Sequence, residues 1–394
     1  MDVTLRACPV CASTRIDPFF EVAGVPSNIG VLWPDKDSAM NCPKGDIRLG
    51  LCRDCGFVMN MAFDASRLEY SQAYDNSLHY SPFYQEYART TAMGLIERYG
   101  LREKTVVEIG CGKGDFLLLL CELGSNKGIG FDPSFEPGRV SKDAARRITF
   151  IRDFYSERYA DIAGDLVCCR YVFEHLSDPA GFLRTVRAAL RDKRKAVVYF
   201  EVPNIRFIVE DMSVWDIIYE HCSYFGKESL ARVFSESRFD VQRIEEVFNG
   251  QYLSMEAVTG NGMMQPGMES GSGRWARADP VAGFGSSARK KIVMWRQTLS
   301  SLRERGGRTI LWGAGAKGVS FLNMLKVRDE IDFVVDINPH KEGKHIPGAG
   351  HKIVTPRSLL NAPPSTVIVT NRIYENEIRK QVGELGLSPS YLVL

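Results

Sequence analysis

The stretch Glu108-Ile109-Gly110-Cys111-Gly112-Lys113-Gly114-Asp115-Phe116 decides the fold. It closes an apolar run, Thr105 to Ile109, that reads as a strand, and it opens a helix-compatible segment. Its glycines let the backbone turn tightly and approach a ligand closely. Outward from this turn, strand-like runs at Lys127 to Phe131, Asp165 to Cys169 and Ala196 to Glu201 alternate with helix-compatible stretches. That alternation predicts an α/β fold with a parallel sheet and crossover helices. By pattern alone the turn suits a dinucleotide, because G-x-G-x-G is a near relative of the dinucleotide fingerprint. Two acids favour a different ligand: Glu108 inside the strand end, and Asp132 at the end of the next strand, placed to accept both hydroxyls of a ribose.

The chain has 394 residues, 44% hydrophobic and 25% charged, enough for a large core divided over two or three domains. Fifty Lys and Arg against 48 Asp and Glu leave a formal charge of +2, which argues against nucleic acid or a lipid surface as partner. The amino-terminal region has no basic start followed by an apolar run, and no apolar stretch approaches the ~20 residues that span a bilayer. A soluble cytoplasmic protein is expected, a monomer or a small homo-oligomer. Ten cysteines in such a chain read as ligands, core residues or reactive thiols rather than disulfides.

Cys8-Pro9-Val10-Cys11 and Cys52-Arg53-Asp54-Cys55 are two CxxC knuckles. Two such turns supply four sulfurs to one tetrahedral zinc at ~2.3 Å, a closed structural site with no open position for chemistry. A redox dithiol would need only one of them. The segment between them, rich in Pro, Gly and Asp, is expected not to build a core alone, so that metal holds it together; Cys42 is a spare thiol.

The loop at 108–116 and its acids resemble the class I S-adenosylmethionine methyltransferases, whose E-x-G-x-G-x-G turn and second-strand acid they match. The resemblance implies a Rossmann-like core. It implies that Gly110, Gly112 and Gly114, with Glu108 and Phe116 of the same turn, border the methionine and ribose portions of the methyl donor, and that Asp132 holds the ribose. Asp153 and Phe154 lie where that family places its adenine contacts.

Further along, Trp215-Asp216-Ile217-Ile218-Tyr219-Glu220-His221-Cys222-Ser223-Tyr224-Phe225 crowds two carboxylates, an imidazole and two phenols together, more polar aromatics than a core helix tolerates. Histidine titrates near neutrality and a carboxylate or tyrosine can orient it for proton removal, although Glu220 and His221, adjacent in sequence, would not face each other on a helix. His175 follows the Asp165 to Cys169 strand, at the carboxyl edge where open α/β sheets bind ligands.

After a stretch dense in Gly, Ser, Met and Pro, a second α/β unit is expected, with a helix at Arg289 to Arg305 and short strands at Thr309 to Trp312, Phe333 to Asp336, Thr366 to Thr370 and Tyr391 to Leu394. Its turn, Gly313-Ala314-Gly315-Ala316-Lys317-Gly318 with Asp336 ending the next strand, read alone is a dinucleotide fingerprint and leaves open an NAD-dependent oxidoreductase.

Taken in order, these parts resemble the three-domain sugar C-methyltransferases. The expected division is a zinc-binding domain at 1–70, a methyltransferase domain at 71–260, a linker or mobile loop at 261–286 and a Rossmann-like substrate domain at 287–394. The resemblance implies C-methylation of a nucleotide-diphosphate-linked 4-keto sugar through an enolate. It further implies His221 as base, Glu220 and Tyr219 as helpers, Tyr224 or His175 as enolate donors, and a terminal turn (Gly313, Gly315, Lys317) that holds the substrate diphosphate. Tyr80, Asn249 and Gln251 stand as further substrate contacts. Two departures from the family pattern are visible: one residue fewer separates Tyr219 from the Glu-His pair, and a Gly-Gly-Glu-type segment reads Asn249-Gly250-Gln251. O- or N-methylation of a sugar or another polar metabolite is the nearest alternative.

Overall fold

The computed structural model describes residues 7–68, 74, 77–139, 146–193, 195–264, 275 and 278–394. Of the linker expected at 261–286, residues 265–274, 276 and 277 lie outside the described residues, and the helix Phe284–Glu304 begins inside its far end. The helix Pro82–Tyr99 precedes the central sheet. Ser81 caps it by accepting from the Tyr84 amide, Pro82 fits its first turn, and Gly100 ends it in a left-handed conformation at φ 61°.

The amino-terminal part forms an antiparallel ribbon of β1 (Ile16–Pro26), β2 (Lys44–Cys52) and β3 (Val58–Asn60). Ile47, Leu49 and Leu51 of β2 are fully buried. This is more order than a loop tied by metal, but the core is a shared one. Phe19 and Phe20 meet Phe284 edge-on at 5.8 and 5.6 Å, at the start of the long helix Phe284–Glu304. Val319 and Phe321 of the carboxyl-terminal unit belong to the same cluster.

The central sheet contains β4 (Thr105–Ile109), β5 (Lys127–Phe131), β6 (Ile148–Ile151), β7 (Leu166–Arg170) and β8 (Val197–Pro203), all parallel. Every residue of β7 is buried, as expected of a strand covered on both faces. The chain then leaves this sheet. Ser223–Tyr224, as β9, pairs with β3 and becomes the fourth strand of the amino-terminal sheet. It returns as the hairpin β10 (Phe239–Val247) and β11 (Tyr252–Thr259), with β11 antiparallel to β8. The order is β10-β11-β8-β7-β4-β5-β6, a mixed sheet with the class I methyltransferase arrangement.

The carboxyl-terminal sheet is parallel throughout: β12 (Thr309–Trp312), β13 (Phe333–Val335), β14 (Ile353–Val354), β15 (Thr366–Val369) and β16 (Ser390–Val393), in the order β14-β13-β12-β15-β16. It is a second Rossmann-like α/β unit. Trp215 packs edge-on against Phe321 of the helix Ala316–Leu325 at 5.0 Å, Ser223–Tyr224 pairs with β3, and the Cys222 amide donates to the Glu174 carbonyl in the turn after β7, so the 215–225 segment touches all three units in eleven residues. No helix among the described residues is long and apolar enough to cross a membrane.

Candidate active site

A cavity of about 600 Å³ runs between the carboxyl edge of the central sheet, the 215–225 segment and the second glycine turn. Both glycine turns open onto it. At the first, Gly112 has φ +54° and a Cβ built there would meet nothing within 4 Å, so its missing side chain faces open space. Asp132 Oδ2 accepts from the Gly112 amide at 2.8 Å, and Oδ1 from the Ser134 amide and hydroxyl at 2.7 and 2.6 Å. Those bonds fix the strand-end acid against the turn. Glu108 is buried with Oε2 lacking any partner among the described residues, and burial pushes its carboxyl up to about 8. Phe116 forms the floor, with the Arg170 guanidinium 4.0 Å above its ring. Asp153 accepts from Tyr159 at 2.6 Å and the Phe154 amide at 2.8 Å, and Phe154 stands at the cavity wall, 58% exposed. Gly114 does not line the cavity; at φ 92° it starts the helix Asp115–Gly124.

In the middle of the cavity wall, the rings of His175 and His221 cross at 80° with centroids 5.0 Å apart. Each faces the carboxylate that neighbours the other in sequence. His221 Nε2 lies 3.9 Å from Glu174 Oε1, and His175 Nδ1 lies 4.0 Å from Glu220 Oε2. Glu220 accepts from the Ile29 amide and, at 2.9 Å, from the Tyr74 hydroxyl, so it serves His175 and the amino-terminal domain and does not assist His221. Burial lowers both imidazoles, His175 to about 4 and His221 well below its ordinary value, and raises Glu174 to about 8 and Glu220 to about 7. Near neutral pH both rings are uncharged.

Three more expected site residues do not reach the cavity. The Tyr219 hydroxyl accepts from the Asp64 amide at 2.9 Å and donates to its carbonyl at 3.2 Å, with the ring in the amino-terminal core. It does not line the cavity, in keeping with the shortened spacing before Glu220-His221. The Tyr224 hydroxyl donates to the Ile218 carbonyl at 3.2 Å in a fully buried position, so it is no donor to a bound ligand. Asn249 is exposed in the left-handed turn between β10 and β11 and does not reach the cavity. Its neighbour Gln251 does, exchanging two amide hydrogen bonds of 3.0 Å with Asn371 of the carboxyl-terminal unit. Tyr80 lines the same end, its ring centroid 6.2 Å from that of His340.

At the second turn, Gly313, Gly315 and Lys317 all line the cavity. Lys317 pairs with Asp216 of the 215–225 segment. Asp336, the acid that would take a cofactor ribose, is already committed: Oδ2 accepts from the Ala314 amide at 2.8 Å and lies 3.3 Å from Lys341 Nζ, and Oδ1 accepts from the Asn338 amide at 2.9 Å. Sequence reasoning missed Glu174, Tyr74, Lys341 and Asn371. Glu174 carried a local signal, sitting beside His175 in the turn after β7; the other three become legible only through contacts distant in sequence.

Away from the cavity, Cys8, Cys11, Cys52 and Cys55 bring four sulfurs within 4.8 Å of one another, with Cys8–Cys55 at 3.6 Å and Cys11–Cys52 at 3.5 Å. Zinc bonds of ~2.3 Å in a tetrahedron place sulfurs about 3.8 Å apart, so the cluster fits that ion. Cys42 is buried elsewhere and is not a spare ligand.

A methyltransferase domain family matches residues 84–244 and a C-methyltransferase C-terminal domain family matches residues 271–388. No curated protein matches the chain. Similar solved structures include magnesium protoporphyrin IX methyltransferase from Synechocystis, at 15% identity and TM-score 0.36 over 45% of this chain and 84% of that one. Another is 1,6-didemethyltoxoflavin-N1-methyltransferase from Burkholderia thailandensis, at 16% and 0.35 over 45% and 80%. A third is a methyltransferase from Aquifex aeolicus, at 16% and 0.33 over 43% and 89%. Joining both matched domains around one cavity, the chain is an S-adenosylmethionine-dependent methyltransferase with the domain pair of the C-methyltransferases.

Proposed function

We propose that the chain methylates a carbon beside the ketone of a nucleotide-diphosphate-linked 4-keto deoxysugar. The observation that carries the reading is the single cavity joining the Gly110–Gly112 turn, the His175 and His221 rings and the Gly313–Gly315 turn. A ligand spanning it would need a charged end for the second turn and a reactive end at the histidines.

The first turn fits the methyl donor. Glu108, with its unpartnered oxygen, suits an ammonium; Asp132 suits a ribose; Gly112 leaves space, and Asp153 with exposed Phe154 suits a flat base. When bound there, S-adenosylmethionine supplies an electrophilic methyl group. At the other end, the amides that start the helix Ala316–Leu325 and the Lys317 ammonium suit a diphosphate. The Lys341 ammonium 3.3 Å from Asp336 Oδ2, a cation that Asp132 does not have within 4 Å among the described residues, argues against NAD in that place.

Between them, neutral His221 takes the proton from the carbon next to the ketone, and the electron pair of that C–H bond moves into the enolate. His175 is the ring beside it that faces the charge developing on oxygen. The cavity wall then holds the carbon nucleophile in line for attack, a contribution of orientation. The four-cysteine cluster would hold zinc as a structural tie, as its closed ligand set leaves no position for substrate.

The enolate is tested by hydrogen exchange. Incubating the protein in D₂O with thymidine- or guanosine-diphosphate 4-keto sugars and S-adenosylhomocysteine should place deuterium on the carbon beside the ketone. Methyl transfer to a keto sugar without any such exchange in the wild-type protein, and with full activity in His221→Ala, would remove this route.

A further inference from the structure

We infer that Glu174 is the positioning residue for His221, its carboxylate balancing the imidazolium that forms when the ring takes the substrate proton. This rests on His221 being the base. Glu174 is 2% exposed, Oε1 lies 3.9 Å from His221 Nε2, and Oε2 has no hydrogen-bond partner among the described residues. His221 Nδ1 is likewise buried and unpartnered. The Glu174 oxygen stands just beyond hydrogen-bond distance of Nε2, and catalytic hydrogen bonds tighten when substrate binds.

The need for such a partner is electrostatic. A neutral imidazole in a desolvated wall, with a second imidazole 5.0 Å away, is a weak base, because nothing nearby welcomes the imidazolium. Glu220 cannot supply the charge, being held by Ile29, Tyr74 and the side of His175. Glu174 faces His221 directly. In the reaction the C–H bond breaks, the proton lands on the His221 ring, and the imidazolium is stabilised by the Glu174 carboxylate beside it. After methylation and product release the proton passes to water, one per methyl transferred.

The arrangement sets a pH dependence. Glu174 faces Cys169 of β7, His175 beside it in the following turn, Glu201 on β8, and Glu220, His221, Cys222 and Tyr224 of the 215–225 segment. Burial and the two acids push its carboxyl up to about 8. The competent carboxylate therefore forms as pH rises through about 8, and kcat rises with it.

The experiment compares kcat against pH for wild type, Glu174→Gln, Glu174→Asp and His221→Ala, with S-adenosylmethionine affinity and metal content measured alongside. Glu174→Gln is expected to lose the rise near pH 8 and about 10²-fold in kcat, with donor affinity unchanged, while Glu174→Asp keeps a rise. Glu174→Gln that retains the rise with kcat within twofold of wild type overturns the inference while leaving His221 as base. Full activity in His221→Ala overturns the base itself. The donor atoms of Glu174, His175 and His221 all lie within 4.8 Å, so a metal equivalent lost selectively from Glu174→Gln would also overturn the positioning role.

Discussion

Replacing Gly315 by alanine separates the substrate's binding site from the fold. Gly315 stands at φ −97° and ψ −168°, ordinary extended backbone that alanine adopts without strain. A Cβ there meets nothing within 4 Å, because the position faces the cavity. Alanine is a poorer start to the helix Ala316–Leu325 than glycine, but it also restricts the unfolded chain; the two effects oppose, and folding stability should move by less than about 1 kcal/mol. The added methyl projects where a diphosphate oxygen would sit. Displacing one charge-assisted hydrogen bond costs about 1.5–3 kcal/mol, which is a rise of about 10- to 150-fold in KM for the nucleotide sugar. S-adenosylmethionine affinity should not change, since its proposed cradle lies at the other end of the cavity. Gly313→Ala is the contrasting variant: at φ +117° its Cβ would lie 2.2 Å from Thr370 Oγ1, so it should lose stability as well. Steady-state kinetics with a melting curve reads all of this. A folded Gly315→Ala protein whose KM for the nucleotide sugar stays within twofold of wild type refutes the placing of the diphosphate at this turn.

Three other perturbations follow from the same geometry. His221→Ala should abolish turnover and leave donor affinity nearly intact in a calorimetric titration; parallel loss of donor binding rejects its role as base. Glu201→Gln should cost about 3–5 kcal/mol, a fall in Tm of the order of 10 °C, because it strands the buried Arg170 guanidinium. In the native protein Arg170 Nε donates to Glu201 at 2.6 Å, the side chains being 4% and 0% exposed, and Tyr87 and Tyr199 donate to the other oxygen. A calorimetric shift below about 2 °C would contradict that account. Stripping metal from the four cysteines should deprotect the amides pairing Val58 and Met59 with Tyr224 and Ser223, and lower activity, although the cluster lies away from the cavity. Unchanged hydrogen exchange and turnover after metal loss would show that the cluster does not support the catalytic segment.

The division between what was legible and what was not follows the range of the interactions. The turn at 108–116, its strand and helix, and Asp132 are local matters of glycine conformation and apolar runs, and they read correctly from the chain alone. So did the second turn and most of its strands. The pairing at the site was not legible, because Glu220-His221 suggested a partnership that adjacency in sequence cannot deliver. The fold instead sets each ring against the carboxylate beside the other, His221 against Glu174 and His175 against Glu220, two turns 46 residues apart by the separation of Glu174 from Glu220. Tyr219 and Tyr224 looked available because the sequence does not reveal that Ser223–Tyr224 joins the amino-terminal sheet and draws both phenols into buried main-chain contacts. The amino-terminal ribbon was underestimated for a related reason: Phe19 and Phe20 find their partner in Phe284, far along the chain, and Ile47, Leu49 and Leu51 belong to the same cluster.

The most direct measurement is transfer of an isotopically labelled methyl group from S-adenosylmethionine to a panel of thymidine- and guanosine-diphosphate 4-keto sugars, with tandem mass spectrometry locating the label. The account predicts label on the carbon beside the ketone of one member of the panel. Label on oxygen alone, or a product with no ketone-bearing precursor, would contradict it.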